Sequence, residues 1–515
     1  MNFADLNYAA LFRATLPETV LEIATLTVLV VDLGFLRKAA MQVRVAAAAL
    51  LGIAGCVVSV WAVTIAVRYV WGSDLLLTAG GSAEVAQVAI LALTVLTLLL
   101  FIDSEFTRNP GEYVSVVLMA AAGGLIISAA QDLIVIFTGL ELLSLSLYIL
   151  TAFAKKSGKS AEAAIKYYIF GAMSAAFLLF GFSYLYGISG STNLDRIVQE
   201  SYFTSVSGGS PLLYLALAMI VTGLGFKVAA VPFHQWAPDT YEGAPIASAS
   251  FIASVSKVAS FALLISISVA LAHGLGVGNP IRLVFFNLGP SPQLAGPQAQ
   301  WALLLAIVSV ASMIVGNLAA LVQSSVRRLL AYSAIAHAGY ILLGLAFFSS
   351  SLSAQAVLYY IVTYGLTTIG AFGVIGVVER AVGSDRLDAF LGLHKRNPLL
   401  AGVLLVLFLS LAGIPPLVGF WAKFNLFAAV LRASAGVVPF TLVALAIAFS
   451  AVSLYYYLQV LKRAYVMPAT DDSPIKAHPV TLVVLVAIAV AVIVLGCFPA
   501  LLQGWIAHFY PANVV

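Results

Sequence analysis

Long apolar segments alternate with short polar ones along the whole chain. A membrane-spanning helix needs about 20 mostly apolar residues, because the hydrocarbon layer is about 30 Å thick and a helix rises about 1.5 Å per residue. We therefore predict an all-α integral membrane protein of about fourteen transmembrane helices. The predicted spans are 17–36, 45–67, 85–102, 113–130, 133–152, 161–187, 211–231, 246–273, 302–324, 328–349, 352–378, 398–430, 437–461 and 479–503.

Composition supports this reading and excludes several kinds of site. Of the 515 residues, 62% are hydrophobic and 9% are charged, against about 25% charged in a soluble domain. Cys56 and Cys497 lie in apolar runs without a second ligand at metal-binding spacing, so no disulfide framework, iron–sulfur cluster or zinc site is predicted. The segment 1–17 lacks the pattern of a cleaved signal, and we expect the first apolar segment to be retained.

The basic residues predict the orientation of the chain. Sixteen fall in the odd-numbered loops and five in the opposite loops, and the positive-inside rule places the basic loops in the cytoplasm. We therefore expect a multi-pass protein of the bacterial inner membrane with both termini on the outer, periplasmic side. The five outer residues are Arg13, Arg68, Arg196, Arg282 and Arg432.

Four lysines remain inside apolar runs: Lys166, Lys227, Lys257 and Lys423. A lysine at the bilayer centre is disfavoured by about 2.5–3.5 kcal/mol. Lys166 lies near a helix start, from which its side chain can instead reach the cytoplasmic surface; the other three are deeper. Because burial disfavours the ammonium form, a buried lysine can exchange protons near neutral pH. We predict that these lysines carry protons.

Two other ionisable residues lie within predicted spans. Glu141 is near the middle of span five, where a carboxylate needs a basic partner, and Lys227 is our candidate; a purely structural ion pair is the alternative. His337, in span ten, is a candidate proton relay because its ordinary pKa is about 6.5. The alternative is a histidine that only binds a neighbouring helix. Asp239 and Glu242, after span seven, either admit water and protons or are solvated loop residues.

Repeats and prolines suggest how the spans are organised. The start of span six, Ser160–Tyr167, partly recurs at the start of span eleven as Ser353–Tyr360. Since the two lie an odd number of spans apart, a repeat of this length is inverted in the membrane. Pro232, Pro415 and Pro416 predict breaks in spans seven and twelve. We predict inverted five-helix repeats at 113–273 (spans 4–8) and 302–461 (spans 9–13), a linker at 274–301, and flanking segments 1–112 and 462–515.

Several motifs resemble one family. The central stretch runs from Lys227 through Phe-His-Gln-Trp-Ala-Pro-Asp239 to Pro245 and on to Lys257. Supporting stretches are 139–144, 161–168, 327–340 and 413–424. Together they resemble the antiporter-like, proton-pumping membrane subunits of NADH:quinone oxidoreductase (complex I). The form Asp239-x-Tyr-x-Gly-Ala-Pro245, the lysine at 423 and the lack of a long lateral helix resemble the N branch more than the M or L branch.

The resemblance implies a set of expectations about function. Glu141 and Lys227 would form a charge pair, Lys257 would be the central relay, and Lys423 would belong to the outward-leading half. The chain itself would bind no cofactor, while other subunits would hold NADH, FMN, iron–sulfur clusters and quinone. Its partners would be the antiporter-like M and L subunits, small membrane subunits, indirectly the peripheral arm, and lipid, with no nucleic acid.

Two other functions remain open at this point. The first is a subunit of a cation/proton antiporter or membrane-bound hydrogenase that shares the fold. The second is a secondary transporter whose broken helices bind an organic solute. A solute transporter predicts a polar pocket near the membrane midplane, whereas this sequence offers a spaced series of lysines and a histidine.

Overall fold

A computed structural model describes residues 8–70, 76–78, 80–104, 106–206, 211–273, 297–434, 436–469 and 473–510. Helices make up nearly all of this part, and its only β pairing consists of isolated bridges. The helices are α1 Tyr8–Ala14, α2 Leu16–Val30, α3 Met41–Val70, α4 Gly81–Phe101, α5 Pro110–Ala129, α6 Leu133–Thr151, α7 Gly158–Ser189, α8 Leu194–Val206, α9 Pro211–Lys227, α10 Trp236–Gly243, α11 Ile246–His273, α12 Pro297–Leu321, α13 Val326–Ala346, α14 Ser351–Val382, α15 Leu393–Arg396, α16 Pro398–Ala412, α17 Val418–Ala433, α18 Val437–Tyr465, α19 Pro479–Cys497 and α20 Ala500–Phe509.

The described helices confirm an integral membrane protein. Eleven are long and apolar enough to cross a bilayer, and two shorter apolar helices, α9 and α16, add to them. Helix is found at every predicted span, including the first, where α2 continues as a π-helical turn at Val31–Phe35. The count of fourteen and the inverted repeats stay predictions. Most of the predicted linker, 274–296, lies outside the described residues.

Some short helices were not predicted. They include α8, between spans six and seven, and α20, which begins within predicted span fourteen and continues beyond it. A search for runs of about 20 apolar residues overlooks helices of this length. Span fourteen was also predicted too long, since α19 ends at Cys497 and Pro499 precedes α20; proline lacks the N–H that would continue the helix.

The most enclosed helices lie at the centre of the bundle. We compare how much of the apolar, membrane-crossing stretch of each helix is buried inside the bundle. The buried share is 94% for α11, 94% for α13 and 89% for α14, but only 22% for α18. Small residues allow close approach here: a Cβ on Gly339 of α13 would come within 2.8 Å of the backbone of α12. This centre contains Lys257 on α11 and His337 on α13.

Candidate functional site

Both predicted breaks are present in the structure. Helix α9 ends at Lys227 and helix resumes at Trp236. Helix α16 ends at Ala412, Gly413 adopts a left-handed φ of 88°, and α17 begins at Val418. Each break leaves carbonyls without an intrahelical partner. Such helix ends carry partial negative charge and attract cations.

Lys257 binds at the first break. Its Nζ donates to the carbonyl oxygen of Val228, just after α9, at 3.2 Å, and to that of Ala334 on α13 at 2.8 Å. The side chain is 3% exposed. Lys257 therefore connects the broken span of the first half to a helix of the second half.

Lys423 binds at the second break. Its Nζ donates to the carbonyl oxygen of Ala412 at 2.9 Å and to Ser450 Oγ at 2.8 Å, and it lies 5.4 Å from the ring centre of Tyr340. The residue is 6% exposed. Each half of the chain thus holds a buried lysine against a carbonyl that a helix break has freed.

Lys227 binds at helix α6, beside its predicted partner Glu141. Its Nζ donates to the hydroxyl of Ser144 on α6, which itself donates to the carbonyl of Leu140. Glu141 lies one helical turn before Ser144 and is half-buried. It interacts with Lys227 electrostatically, but no ion pair within 4.0 Å joins these two described residues. Lys227 is therefore bound by Ser144, and Glu141 lies one turn away on the same helix.

His337 lies within electrostatic range of both Lys257 and Lys423. Its Nδ1 is 2.8 Å from Tyr360 Oη, and its Nε2 is 3.5 Å from Tyr457 Oη. The histidine follows Ala334, to which Lys257 donates, by one turn of α13. Its ring centre is 5.8 Å from that of Tyr340, beside Lys423. These side chains form a polar line through the centre of the bundle.

Lys166 is not part of this line. It is 42% exposed and pairs with Asp239 at 2.8 Å and with Glu162 at 2.7 Å. Arg328 also reaches Asp239, at 2.6 Å, and Glu242, at 3.1 Å. The structure therefore favours the surface position for Lys166 that its place near a helix start allowed.

The carboxylates of this network are held charged. Although burial raises the pKa of Asp239, hydrogen bonds from Lys166 and Arg328 outweigh it and keep the pKa below its usual value. Glu242 behaves in the same way, with Arg328 and Lys159 as its partners. The short helix α10 is consequently fastened to α7 on one side and to α13 on the other.

Comparison with known proteins places this geometry in a family. The family described as NADH:quinone oxidoreductase/Mrp antiporter, TM matches residues 130–290 and 283–450. The chain belongs to this family. A relative named NADH-quinone oxidoreductase subunit N 2, from Acidobacterium capsulatum, is 44% identical over 97% of this chain and 99% of its own length.

Solved structures agree with the family assignment. A chain of respiratory complex I from Thermus thermophilus is 31% identical, with a TM-score of 0.74 over 95% of this chain and 98% of that one. A chain of the Mrp complex from a Dietzia species is 20% identical, with a TM-score of 0.77 over 97% and 98%. At 20% identity, the similarity to the Mrp chain is evidence only that the two chains share a fold.

The buried lysines were found from the sequence, but several of their polar neighbours were missed. They are Ser144, Tyr340, Tyr360, Tyr457 and Ser450. Buried tyrosines are usually core residues, although a buried hydroxyl needs a partner. The one available signal was spacing: Ser144 follows Glu141 by three residues and so shares its face of the helix.

No metal centre emerges from the described part of the chain. It contains no group of three or more histidine, cysteine, aspartate or glutamate side chains able to hold an ion. The chemistry available along the central line is therefore that of lysine, histidine, tyrosine and serine.

Proposed function

We propose that this chain is the antiporter-like N subunit of NADH:quinone oxidoreductase and carries protons across the membrane. Relatives carrying that name are 37–44% identical over most of the chain. The observation that carries the proposal is the line of three buried lysines and a histidine, with Lys227, Lys257, His337 and Lys423 each less than 8% exposed.

The lysines hold protons at the two breaks. The ammonium of Lys257 is stabilised by the Val228 and Ala334 carbonyls, and that of Lys423 by the Ala412 carbonyl. A shift of either half-helix that withdraws its carbonyl removes this stabilisation, so the lysine releases its proton. Helix movement is thereby converted into proton movement.

The histidine and tyrosines connect the two lysines. His337 Nδ1 lies 2.8 Å from Tyr360 Oη, and its Nε2 lies 3.5 Å from Tyr457 Oη. An imidazole ring can take up a proton at one nitrogen and release it from the other. His337 can therefore pass a proton between the Lys257 side and the Lys423 side of the line.

Lys227 and Glu141 provide the first step. With its hydrogen bond to Ser144, Lys227 is held by a neutral acceptor. If Lys227 moves one turn along α6 towards Glu141, an opposite charge favours its protonated form. Moving one charge against 100 mV costs about 2.3 kcal/mol, and a pKa change of about two units supplies about 2.7 kcal/mol.

The chain acts as a non-redox part of the translocating enzyme. NADH, FMN, iron–sulfur clusters and quinone are assigned to other subunits, and the partners are the M and L antiporter-like subunits and small membrane subunits. Residues 113–273 and 302–461 are the two inverted repeats. Support for the repeats comes from the break and the carbonyl-bound lysine in each half.

An Mrp-type antiporter subunit is the rival function, because that fold is shared. Affinity purification through a tag on this chain distinguishes the two. Peripheral flavin and iron–sulfur subunits are expected to co-purify. Recovery of small membrane antiporter subunits alone would refute the complex I assignment.

A further inference from the structure

A cavity that is lined by none of the side chains of the lysine line lies on the membrane face that the basic residues predict to be outer. Its volume is about 770 Å³, and it is bounded by the beginning of α14, the end of α17 and helix α20. This volume is within the range of about 300–1,000 Å³ typical of small-molecule sites.

Small and polar side chains shape this cavity. On α17 the lining residues Asn425, Ala428, Ala429 and Arg432 have the spacing of a single helix face. On α20 the lining includes Gln503 and Gly504. The alanines and the glycine leave space between the helices, while the amides offer hydrogen bonds.

Helix α20 is fixed over the cavity by a side-chain contact. Gln355 of α14, which also lines the cavity, donates from Nε2 to the carbonyl oxygen of Tyr510 at 2.7 Å. Helix α20 follows the long apolar helix α19. The hydrogen bond from Gln355 holds it against α14, so that it forms one wall of the cavity.

Among the described residues that line this cavity, Arg432 is the only charged one. It is exposed, and it makes no hydrogen bond or ion pair with the described residues. A smaller cavity of about 470 Å³ at the opposite membrane face provides a contrast. There the cations are paired, Arg327 with Glu379 at 3.3 Å and Lys159 with Glu242 at 3.1 Å.

A guanidinium that has no partner in the described part of the chain, and that lies among neutral hydrogen-bonding groups, favours an anion. Its planar fork matches the geometry of a phosphate. Apolar side chains beside the cavity are exposed at the bundle surface, Phe424 by 52% and Leu501 by 60%. They offer contact to hydrocarbon next to the charged group.

We propose that this cavity binds one anionic phospholipid, with its phosphodiester on Arg432. The acyl chains lie along the apolar surface around Phe424. The site is independent of the proton-carrying line, so its failure would leave the proposed function intact.

The test compares two arginines that differ in their surroundings. Arg432→Gln is introduced into the intact complex, and Arg196→Gln serves as the matched control, since Arg196 is also exposed and predicted to be outer but lies outside the cavity lining. Phosphatidylglycerol and cardiolipin are counted per purified complex by mass spectrometry. The expected result is about one anionic phospholipid fewer in Arg432→Gln alone. Equal phospholipid counts in the two variants would overturn the proposal.

A second measurement keeps Arg432 in place. The photoreactive residue p-benzoylphenylalanine replaces Ala429, and the cross-linked product is identified after irradiation of membranes. A phospholipid adduct supports the proposal. A cross-link to a polypeptide would instead identify a neighbouring subunit as the occupant and refute it.

Discussion

Lys423→Arg tests whether this lysine releases its proton during turnover. Lys423 is buried and donates hydrogen bonds to the Ala412 carbonyl and to Ser450. A lysine and an arginine at this position therefore meet the same surroundings. The reference pKa is about 10.4 for lysine and about 12.5 or more for arginine. In the same environment arginine therefore loses its proton at least about a hundredfold less often, which corresponds to about 2.7 kcal/mol.

We expect Lys423→Arg to assemble and to lower coupled quinone reduction and proton uptake by up to about a hundredfold. The assay uses the purified complex in proteoliposomes, with complex content checked on native gels. Lys156→Arg is the matched control, because Lys156 is exposed in a loop and the same chemical change there should leave pumping unchanged.

A fixed structural charge would behave differently, since arginine can satisfy a carbonyl and a hydroxyl at least as well as lysine. Pumping at the wild-type rate in Lys423→Arg would refute the proton-carrier role. If the arginine variant does not assemble, Lys423→Met provides the second test: it removes the exchangeable proton, so normal pumping in that variant would also contradict the role.

Glu141→Ala should sharply reduce pumping and leave electron transfer from NADH to artificial acceptors nearly intact, with partial recovery in Glu141→Asp; normal pumping in an assembled Glu141→Ala complex would exclude Glu141 as a partner of Lys227. Asp239→Asn should lower the thermal stability of the complex by an amount that is constant between pH 6 and 8. The pKa of Asp239 is below its usual value, so its stabilising contribution is fully present above the unfolded pKa of about 3.9 and is lost only as the pH falls through the folded pKa; a stability difference that changes across pH 6–8 would refute this. Single cysteines replacing Lys156 or Lys395, in a chain without its two native cysteines, should react only with reagents admitted to the cytoplasm, and labelling from outside intact cells would contradict the predicted orientation.

The contacts of Arg327 join helix α10 to the second half of the chain. Arg327 is 4% exposed, and its Nε donates to the carbonyl of Tyr241 at 2.8 Å. It also reaches the carbonyl of Ala244 and the carboxylate of Glu379. A cation at the carbonyl end of a helix is favoured by the helix dipole. A displacement of α10 would therefore disturb the contacts that Arg327 of α13 makes with α10 and with Glu379 of α14.

The sequence by itself determined the features that depend on neighbouring residues. Apolar length decided the spans, and prolines 232, 415 and 416 decided the breaks, because a missing backbone N–H acts within one turn of its own helix. The buried lysines could also be identified from the sequence alone. A lysine in the middle of an apolar run is energetically unfavourable in the membrane however the helix packs. These local rules were sufficient to find Lys227, Lys257 and Lys423.

Only the tertiary structure decided which groups these lysines meet. Ser144, and not Glu141, binds Lys227 across 83 residues of chain, Lys257 reaches Ala334 across 77, and Tyr457 approaches His337 across 120. Such partners depend on the rotation and depth of each helix against its neighbours, to within about 1 Å. Apolar patterning does not fix rotation and depth in helices that are apolar on all sides. For the same reason the position of Lys166 in an ion-pair network and the unpaired Arg432 in its cavity emerged only once the helices were packed.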